Sequence, residues 1–173
     1  METDKLIVNY RQLFKIRQDC WDQGIKITYI PGCWDGPSGP HLGHCICVDH
    51  CKSRRPGNIL VIGIANDDTV RMLKDEGRPI CTETIRARMM AMMKPVDFVT
   101  IVQESGQAGA DGDQIMQILQ PDLYVADQND SSLRRKRKLC REWNCEFVTH
   151  SRYSPWNADG ISTTKIVEEL AAA

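Results

Sequence analysis

An apolar, β-branched run at residues 25–30 leads through a glycine- and proline-rich loop into a stretch with the pattern of a helix, about His41 to Ser53. His41 and His44 fall in the first turn of that helix, with Gly43 between them. A helix N-terminus presents unpaired N–H groups and a partial positive charge, and the two imidazoles add directed donors. Glycine lets an anion approach the backbone closely. This strand–loop–helix unit predicts an oxyanion site of the kind used in phosphate chemistry on a nucleotide.

The rest of the chain alternates between strand and helix patterns. Apolar runs predict strands at 26–30, 58–64, 96–102, 122–126 and 146–150. Helical spacing and capping residues predict helices at 4–23, 41–53, 66–73, 82–94, 113–119 and 131–143, with a last helix from near Ser162. The small residues of segment 106–112 predict a mobile loop. This alternation predicts an α/β fold: a single Rossmann-like domain with a parallel five-stranded sheet and helices on both faces.

Length and charge limit the classes of protein that remain. With 173 residues the chain fits one domain, residues 1–170, with the N-terminal helix of residues 1–24 packed on it and 171–173 as a tail. A net charge of −1 argues against a nucleic-acid partner held by bulk electrostatics. We see no apolar run of membrane-span length and no signal-peptide hydrophobic region, so we expect a cytoplasmic protein with no membrane partner.

The chain contains eight cysteines. In the cytoplasm we expect them to be reduced, several of them buried as small apolar residues. Cys47 and Cys51 share a helix face with His44, but the spacing lacks the CxxC pattern of zinc sites. We therefore expect no metal-ligating residues.

Two further segments are expected near the histidine pair. In a parallel sheet, ligands bind beyond the carboxyl ends of the strands, where the strand order reverses. The segment 66–68 (Asn-Asp-Asp) follows the second strand at that edge, and 160–164 (GISTT) precedes the last helix. A second helix N-terminus lined with hydroxyl groups would flank one triphosphate together with His41 and His44.

Several short motifs occur in a fixed order along nearly the whole chain. They are Gly32-Cys33-Trp34-Asp35, His41-Leu42-Gly43-His44, Asn66 to Arg71, Arg78-Pro79 with Arg86 eight residues after Arg78, Val96-Asp97, Gln120-Pro121-Asp122 and Ile161 to Thr164. In this order they resemble the cytidylyltransferase-like nucleotidyltransferases, which carry an HxGH signature. Within that family the chain is most similar to the adenylyltransferase domain of ADP-heptose synthases, and next to glycerol-3-phosphate cytidylyltransferases.

The resemblance implies that a small phosphorylated metabolite attacks the α-phosphorus of ATP or CTP, with Mg²⁺, and releases pyrophosphate. It implies a homodimer, with the nucleoside triphosphate and the phosphorylated substrate as the other partners. The residues to which it gives a catalytic role are His41, His44 and Lys52, the last as a mobile charge on the same helix. The residues to which it gives a role in nucleotide binding are Gly32, Cys33, Trp34, Asp35, Gly43, Asn66, Asp68, Arg86, Ser162, Thr163 and Thr164.

Two features depart from the family pattern. Five residues, 36–40, separate Asp35 from His41, where the family usually has two. The lysine–glycine pair that usually follows the fourth strand is replaced by the acidic loop 126–130 (ADQND). This loop favours an acceptor with less negative charge, or one whose phosphate is bound elsewhere, by Arg134, Arg135 or Arg152. The candidate substrate-binding residues are Asp127, Gln128 and Arg152.

Some alternatives stay open at this point. The missing lysine also fits a non-catalytic nucleotide-binding or regulatory module on the same fold. The base is not encoded by side chains, although similarity to the heptose enzymes favours ATP over CTP. We expect the basic run 134–138 to form a solvated helix face more than a substrate or nucleic-acid contact. We expect the methionines within 89–93 to pack in the core, with part of their helix available for a dimer contact.

Overall fold

The computed structural model describes residues 6–36, 40–74 and 76–150, together with Glu168 and Ala172. One sheet contains five parallel strands: β1 (Ile27–Gly32), β2 (Ile59–Ile64), β3 (Phe98–Ile101), β4 (Leu123–Asp127) and β5 (Glu146–His150). The helices are α1 (Tyr10–Asp22), α2 (Leu42–Arg54), α3 (Asp67–Leu73), α4 (Glu83–Ala91), α5 (Gly106–Asp111), α6 (Asp113–Leu119) and α7 (Leu133–Glu142). The predicted α/β fold with one parallel five-stranded sheet is confirmed. None of the helices among the described residues is long and apolar enough to cross a membrane.

The strand order is β3-β2-β1-β4-β5, so the order reverses between β1 and β4. Side chains of α2 and α4, among them Val48 and Met90, pack with Ile62 on one face of the sheet. Side chains of α1, α6 and α7 pack with Tyr29 and Tyr124 on the other face. Because β1 continues into one helical layer and β4 into the other, a crevice opens beyond the carboxyl ends of these two strands.

The N-terminal helix is shorter than the predicted span 4–23. It begins at Tyr10 because Asn9 forms a capping box with Gln12, in which each side chain accepts from the other residue's amide N–H. Before that cap, Ile7 forms a parallel bridge with Val99, so this segment lies beside β3 at the edge of the sheet. The predicted cap at the other end is confirmed, since Gly24 has a φ of +68° and donates to the carbonyl of Trp21.

The prediction that Pro31 and Gly32 break the first strand is wrong, because β1 continues through both residues. β1 pairs with β4 only at Thr28 and Tyr29, whereas its pairing with β2 continues to Gly32. Past Tyr29 the strand has one neighbour, and a proline is tolerated where a strand has an open side.

The predicted mobile loop 106–112 is also wrong, because six of its residues form α5. Gly109 is buried, and a Cβ there would lie 2.0 Å from the carbonyl O of Glu104 and 2.7 Å from Thr69 Oγ1. The small residues therefore let α5 approach α3 closely, so they serve helix packing instead of chain mobility.

Candidate active site

The two imidazoles that precede and open α2 are stacked on each other. His41 is the N-cap residue of α2, and the amide N–H of His44 donates to the carbonyl O of His41 at 2.9 Å. The ring centroids lie 3.8 Å apart, with 21° between the ring planes. The two histidines therefore lie at the start of α2, where the first amide N–H groups of a helix have no partner within it, at the β1 side of the crevice. This arrangement can bind an anion.

The loop between β1 and α2 packs around Trp34. The indole Nε1 donates to the carbonyl O of Gly63 at 3.0 Å, and its ring centroid lies 5.1 Å from that of His44. Trp34 is 5 % exposed, so its side chain contacts protein on nearly all sides. Gly32 ends β1 next to the indole, and Gly43 lies between the histidines in the first turn of α2.

Asp35 is buried at the end of this loop and binds the segment before α4. Its carboxylate accepts from the Nε of Arg78 at 2.6 Å and from the amide N–H groups of Ile80 and Cys81. Burial alone would raise the pKa of Asp35, but the two amide donors and the guanidinium outweigh it and lower the pKa below its usual value. The carboxylate of Asp35 holds two segments of the chain together, which argues against its predicted role as a ligand-facing acid.

Arg86 is fully buried and connects three segments at the crevice. Its guanidinium donates to the carbonyl groups of Cys81, Cys33 and Ala65 and to the carboxylate of Asp67 at 2.7 Å. These protein acceptors occupy the N–H donors of the guanidinium, which argues against the predicted contact of Arg86 with a bound anion. Arg86 instead fixes the ends of β1 and β2 relative to α4.

The predicted cap at Asn66 is confirmed. Its side-chain oxygen accepts from the amide N–H of Thr69 at 2.8 Å, and its amide group donates to the carbonyl groups of Gln103 and Glu104. Asp68, in the first turn of α3, is exposed and pairs with Arg71 at 2.6 Å. Asn66 therefore joins the loops after β2 and β3, whereas Asp68 lies at the surface.

The opposite wall of the crevice is acidic. Asp127 ends β4 and is aligned with His150 at the end of β5, and the amide N–H of Gln128 donates to the carbonyl of His150. The pKa of Cys47 on α2 is raised, mainly by a hydrogen bond with Cys51 and by burial, with a smaller contribution from Asp127. Side chains alternate along β4, with Tyr124 and Ala126 in one core cluster and Leu123 and Val125 in the other, so Asp127 lies on the sheet face that carries α2.

Behind that wall, part of the basic run pairs with acids and is not solvated as predicted. Lys136 is 5 % exposed and its ammonium lies 3.6 Å from the carboxylate of Asp111 and contacts Asp130. Arg135 pairs with Asp111 and with Asp113. Burial raises the pKa of Asp111, and the nearby Lys136 opposes that effect. Arg135 is thus committed to carboxylates of the protein, which weakens its candidacy as a phosphate-binding residue.

Lys52 does not lie with the histidines. Its ammonium donates to the carboxylate of Asp97 at 2.5 Å and to the carbonyl O of Asn58 at 2.7 Å, before β3 and β2 begin. Lys52 comes eleven positions after His41, which is about 16 Å at 1.5 Å per residue of helix. Lys52 joins α2 to the amino edge of the sheet, which argues against its predicted role as a mobile charge at the phosphates.

Four predicted residues fall outside the described residues: Arg152, Ser162, Thr163 and Thr164. Within the described residues, no group of three or more His, Cys, Asp or Glu side chains could hold a metal ion. The carboxylates of Asp35 and Asp67, which follow the ends of β1 and β2, are bound to Arg78 and Arg86. A magnesium ion at this site would therefore take its ligands mainly from a bound triphosphate and water.

The sequence interpretation missed two partners that shape the site, Asp67 and Glu83. Asp67 binds Arg86, and its carboxylate and that of Glu83 each accept from the other residue's amide N–H, at 2.8 and 2.7 Å. This reciprocal cap joins the starts of α3 and α4. The signal available was an acid at the first position of each predicted helix.

A family model described as cytidylyltransferase-like matches residues 29–169. The bifunctional protein HldE of Campylobacter jejuni (strain RM1221) is 30% identical over 172 residues, which cover 98% of this chain and 32% of that protein. HldE of Desulfatibacillum aliphaticivorans is 34% identical over 148 residues, which cover 86% of this chain and 27% of that protein. The chain thus spans about a third of the length of these curated relatives.

A likeness in fold extends to solved structures. Pantothenate synthetase from Thermus thermophilus superposes with a TM-score of 0.62 over 92% of this chain and 66% of that chain, at 16% sequence identity. At that identity the likeness shows the fold alone.

Proposed function

The chain belongs to the cytidylyltransferase-like family, and from that premise we propose that it transfers a nucleoside monophosphate from ATP or CTP to a small phosphorylated metabolite, of the sugar or alditol phosphate kind, and releases pyrophosphate. The observation that carries the proposal is the stacked pair His41 and His44 at the start of α2, beside the reversal of strand order. Ligands of open parallel sheets bind at such a reversal, and helix starts bind phosphate.

The proposed reaction exchanges one phosphorus–oxygen bond for another. An oxygen of the acceptor phosphate bonds to the α-phosphorus while the bond to the β-phosphate oxygen breaks, and the negative charge moves to pyrophosphate. His41 and His44 donate to oxygens of the triphosphate, so that charge is stabilised where it develops. A magnesium ion bound with the triphosphate would supply further neutralisation of this charge.

The remaining residues take indirect or peripheral places in this proposal. Those that line or shape the nucleotide side are Gly32, Cys33, Gly43, Asn66 and Asp68, with Asp35 and Arg86 holding the segments in place. Ser162, Thr163 and Thr164, outside the described residues, are proposed to bind the β- and γ-phosphates. Asp127 and Gln128 are proposed to face the acceptor, with Arg152 as a candidate for its phosphate.

A second candidate function is a non-catalytic nucleotide-binding module. The observation that favours it is the acceptor wall, where Ala126 is buried in the core and Asp127 follows it. A carboxylate there repels a phosphate dianion, so the chain could bind a nucleotide without processing an acceptor.

The test is pyrophosphate release from ATP or CTP with Mg²⁺, in the presence of a panel of sugar phosphates and alditol phosphates. We expect release that depends on the acceptor and falls by at least about 100-fold in His41→Ala and in His44→Ala. Nucleotide binding without release for every acceptor in the panel supports the second candidate. Release that persists in both alanine variants contradicts the first.

The proposal includes two further expectations. A homodimer would use the exposed apolar side chains of Ile85 in α4 and of Met92 at its C-cap, which are 48 % and 68 % exposed. The cytoplasm, where nucleoside triphosphates are available, is the proposed location. Sedimentation of the purified chain tests the first, and fractionation of cells that express the natural gene tests the second.

A further inference from the structure

Trp34 connects the two central strands to the histidine pair. Its indole Nε1–H bond to the carbonyl O of Gly63 anchors the ring on β2, and the ring then meets the imidazole of His44 at 5.1 Å with 58° between the planes. The ring of His41 in turn stacks on that of His44, with the two ring centroids 3.8 Å apart. Three rings are therefore in series, and Trp34 links that series to the sheet.

The backbone around Trp34 is shaped to admit this ring. Trp34 has a φ of +55°, a left-handed conformation that costs a non-glycine residue energy unless its surroundings enforce it. A Cβ on Gly32 would lie 2.9 Å from the Cε2 and Nε1 atoms of the indole, so a larger residue there would displace the ring. A strained main chain and an obligatory glycine both favour one fixed ring position.

The backbone holds His44 in the first turn of α2, where its amide N–H donates to the carbonyl O of His41 at 2.9 Å. A helical backbone still allows more than one staggered orientation about the side-chain torsions of a histidine. A contact with a fixed ring therefore helps to select one orientation of the imidazole.

We propose that Trp34 is a positioning residue, whose ring holds His44, and through it His41, in the orientation that receives the triphosphate. The inference rests on the proposed function for its consequence in nucleotide binding, but the positioning itself is a property of the protein without ligand. An indole with a hydrogen-bonded N–H is suited to this purpose because it combines a large flat contact surface with one fixed direction.

Two substitutions separate the ring contact from its anchor. Trp34→Phe keeps an aromatic ring beside His44 but removes the bond to Gly63, and Trp34→Leu removes both. Trp143→Leu is the matched control, because Trp143 is a half-buried tryptophan at the C-cap of α7 that packs against the other core.

The first readout is the proton NMR spectrum of the histidine rings in the protein without ligand. Loss of the indole ring current shifts nearby protons by itself, so the quantity compared is the nuclear Overhauser contact between the rings of His41 and His44. We expect it to weaken in Trp34→Leu and, to a smaller extent, in Trp34→Phe, while the resonances of His50 and His150 stay in place. An unchanged contact between the two rings in a folded Trp34 variant overturns the inference, whatever the protein's function. If Trp34→Leu does not fold, Trp34→Phe carries the test.

The second readout is the dissociation constant for ATP and for CTP with Mg²⁺. We expect about 5-fold weaker binding for Trp34→Phe, about 10-fold or more for Trp34→Leu and no more than about 2-fold for Trp143→Leu. Equal effects of Trp34→Leu and Trp143→Leu overturn the inference. Absence of nucleotide binding in the wild-type protein contradicts the proposed function instead, and the NMR result then decides the positioning role alone.

Discussion

Arg78 donates through its Nε to the carboxylate of Asp35 at 2.6 Å, and both side chains are almost completely shielded from water. This ion pair joins the loop after β1 to the segment before α4. Asp35 was expected from its sequence motif to face a ligand, but in the structure its carboxylate binds another segment of the protein. The distinction has measurable consequences.

We expect Asp35→Asn to lower the free energy of unfolding at pH 7 by about 3 kcal/mol, because it leaves Arg78 without its charged partner in a buried place. The folded-state pKa of Asp35 is lowered, so its contribution is present above the unfolded pKa of about 3.9 and is lost as the pH falls through the folded pKa. The gap between the two proteins should therefore close in acid. Urea unfolding from neutral pH down into the acid range measures it, with Asp68→Asn at the exposed acid as the control.

Arg86→Lys is expected to destabilise the fold by about 3 kcal/mol, since an ammonium cannot serve the four acceptors that the guanidinium binds. Arg88→Lys, at an exposed position of the same helix, should change stability by no more than about 0.5 kcal/mol. Thermal and denaturant unfolding of both variants and of the wild-type protein measure these changes in stability. An Arg86→Lys protein of normal stability with weakened nucleotide binding would restore the role of ligand contact that the sequence had indicated.

Lys52→Met should leave nucleotide affinity unchanged, because the lysine pairs with Asp97 at the far end of α2. Loss of this partly buried ion pair should lower the free energy of unfolding by about 1 kcal/mol. Calorimetric titration of the nucleotide and urea unfolding on the same preparation measure both quantities. A large loss of affinity at normal stability would contradict this placement.

Asp127→Lys is expected to strengthen the binding of a phosphomonoester, such as glycerol 3-phosphate, to the nucleotide-bound protein by about 10-fold at low salt. The change replaces a carboxylate at the end of β4 by a cation on the side of the sheet that carries α2. Gln117→Lys, at an exposed position of α6, is the control for a general gain of positive charge. If both variants bind the phosphomonoester as the wild-type protein does, the acidic wall is not what determines acceptor charge.

Sequence patterns were sufficient for the sheet because each central strand is buried on both faces and therefore forms a continuous apolar run, as residues 59–64 do. They were not sufficient for α5, whose helical state depends on Gly109 meeting Glu104 and Thr69 from other elements. The last residues of α1 and the cap at Asn66 followed local rules and were predictable.

In the candidate site, too, local features could be predicted from the sequence and contacts between distant residues could not. The spacing of His41 and His44 predicted two imidazoles at one helix start, since four residues of chain determine that neighbourhood. The partners of Asp35 and Arg86 lie as far as 46 and 53 residues away along the chain. No local pattern encodes such pairs, so a charged residue in a motif could be assigned to ligand binding when its charge is used inside the protein.

The most direct measurement is calorimetric titration of ATP and of CTP, each with Mg²⁺, into the wild-type protein, His41→Ala, His44→Ala and His50→Ala. His50 is an exposed residue of the same helix and serves as the control. We expect the wild-type and His50→Ala proteins to bind one of the nucleotides equally, and His41→Ala and His44→Ala each to bind it at least about 10-fold more weakly, as the loss of a hydrogen bond to a charged group predicts. Equal affinity in all four proteins would contradict the assignment of the stacked histidines to the triphosphate.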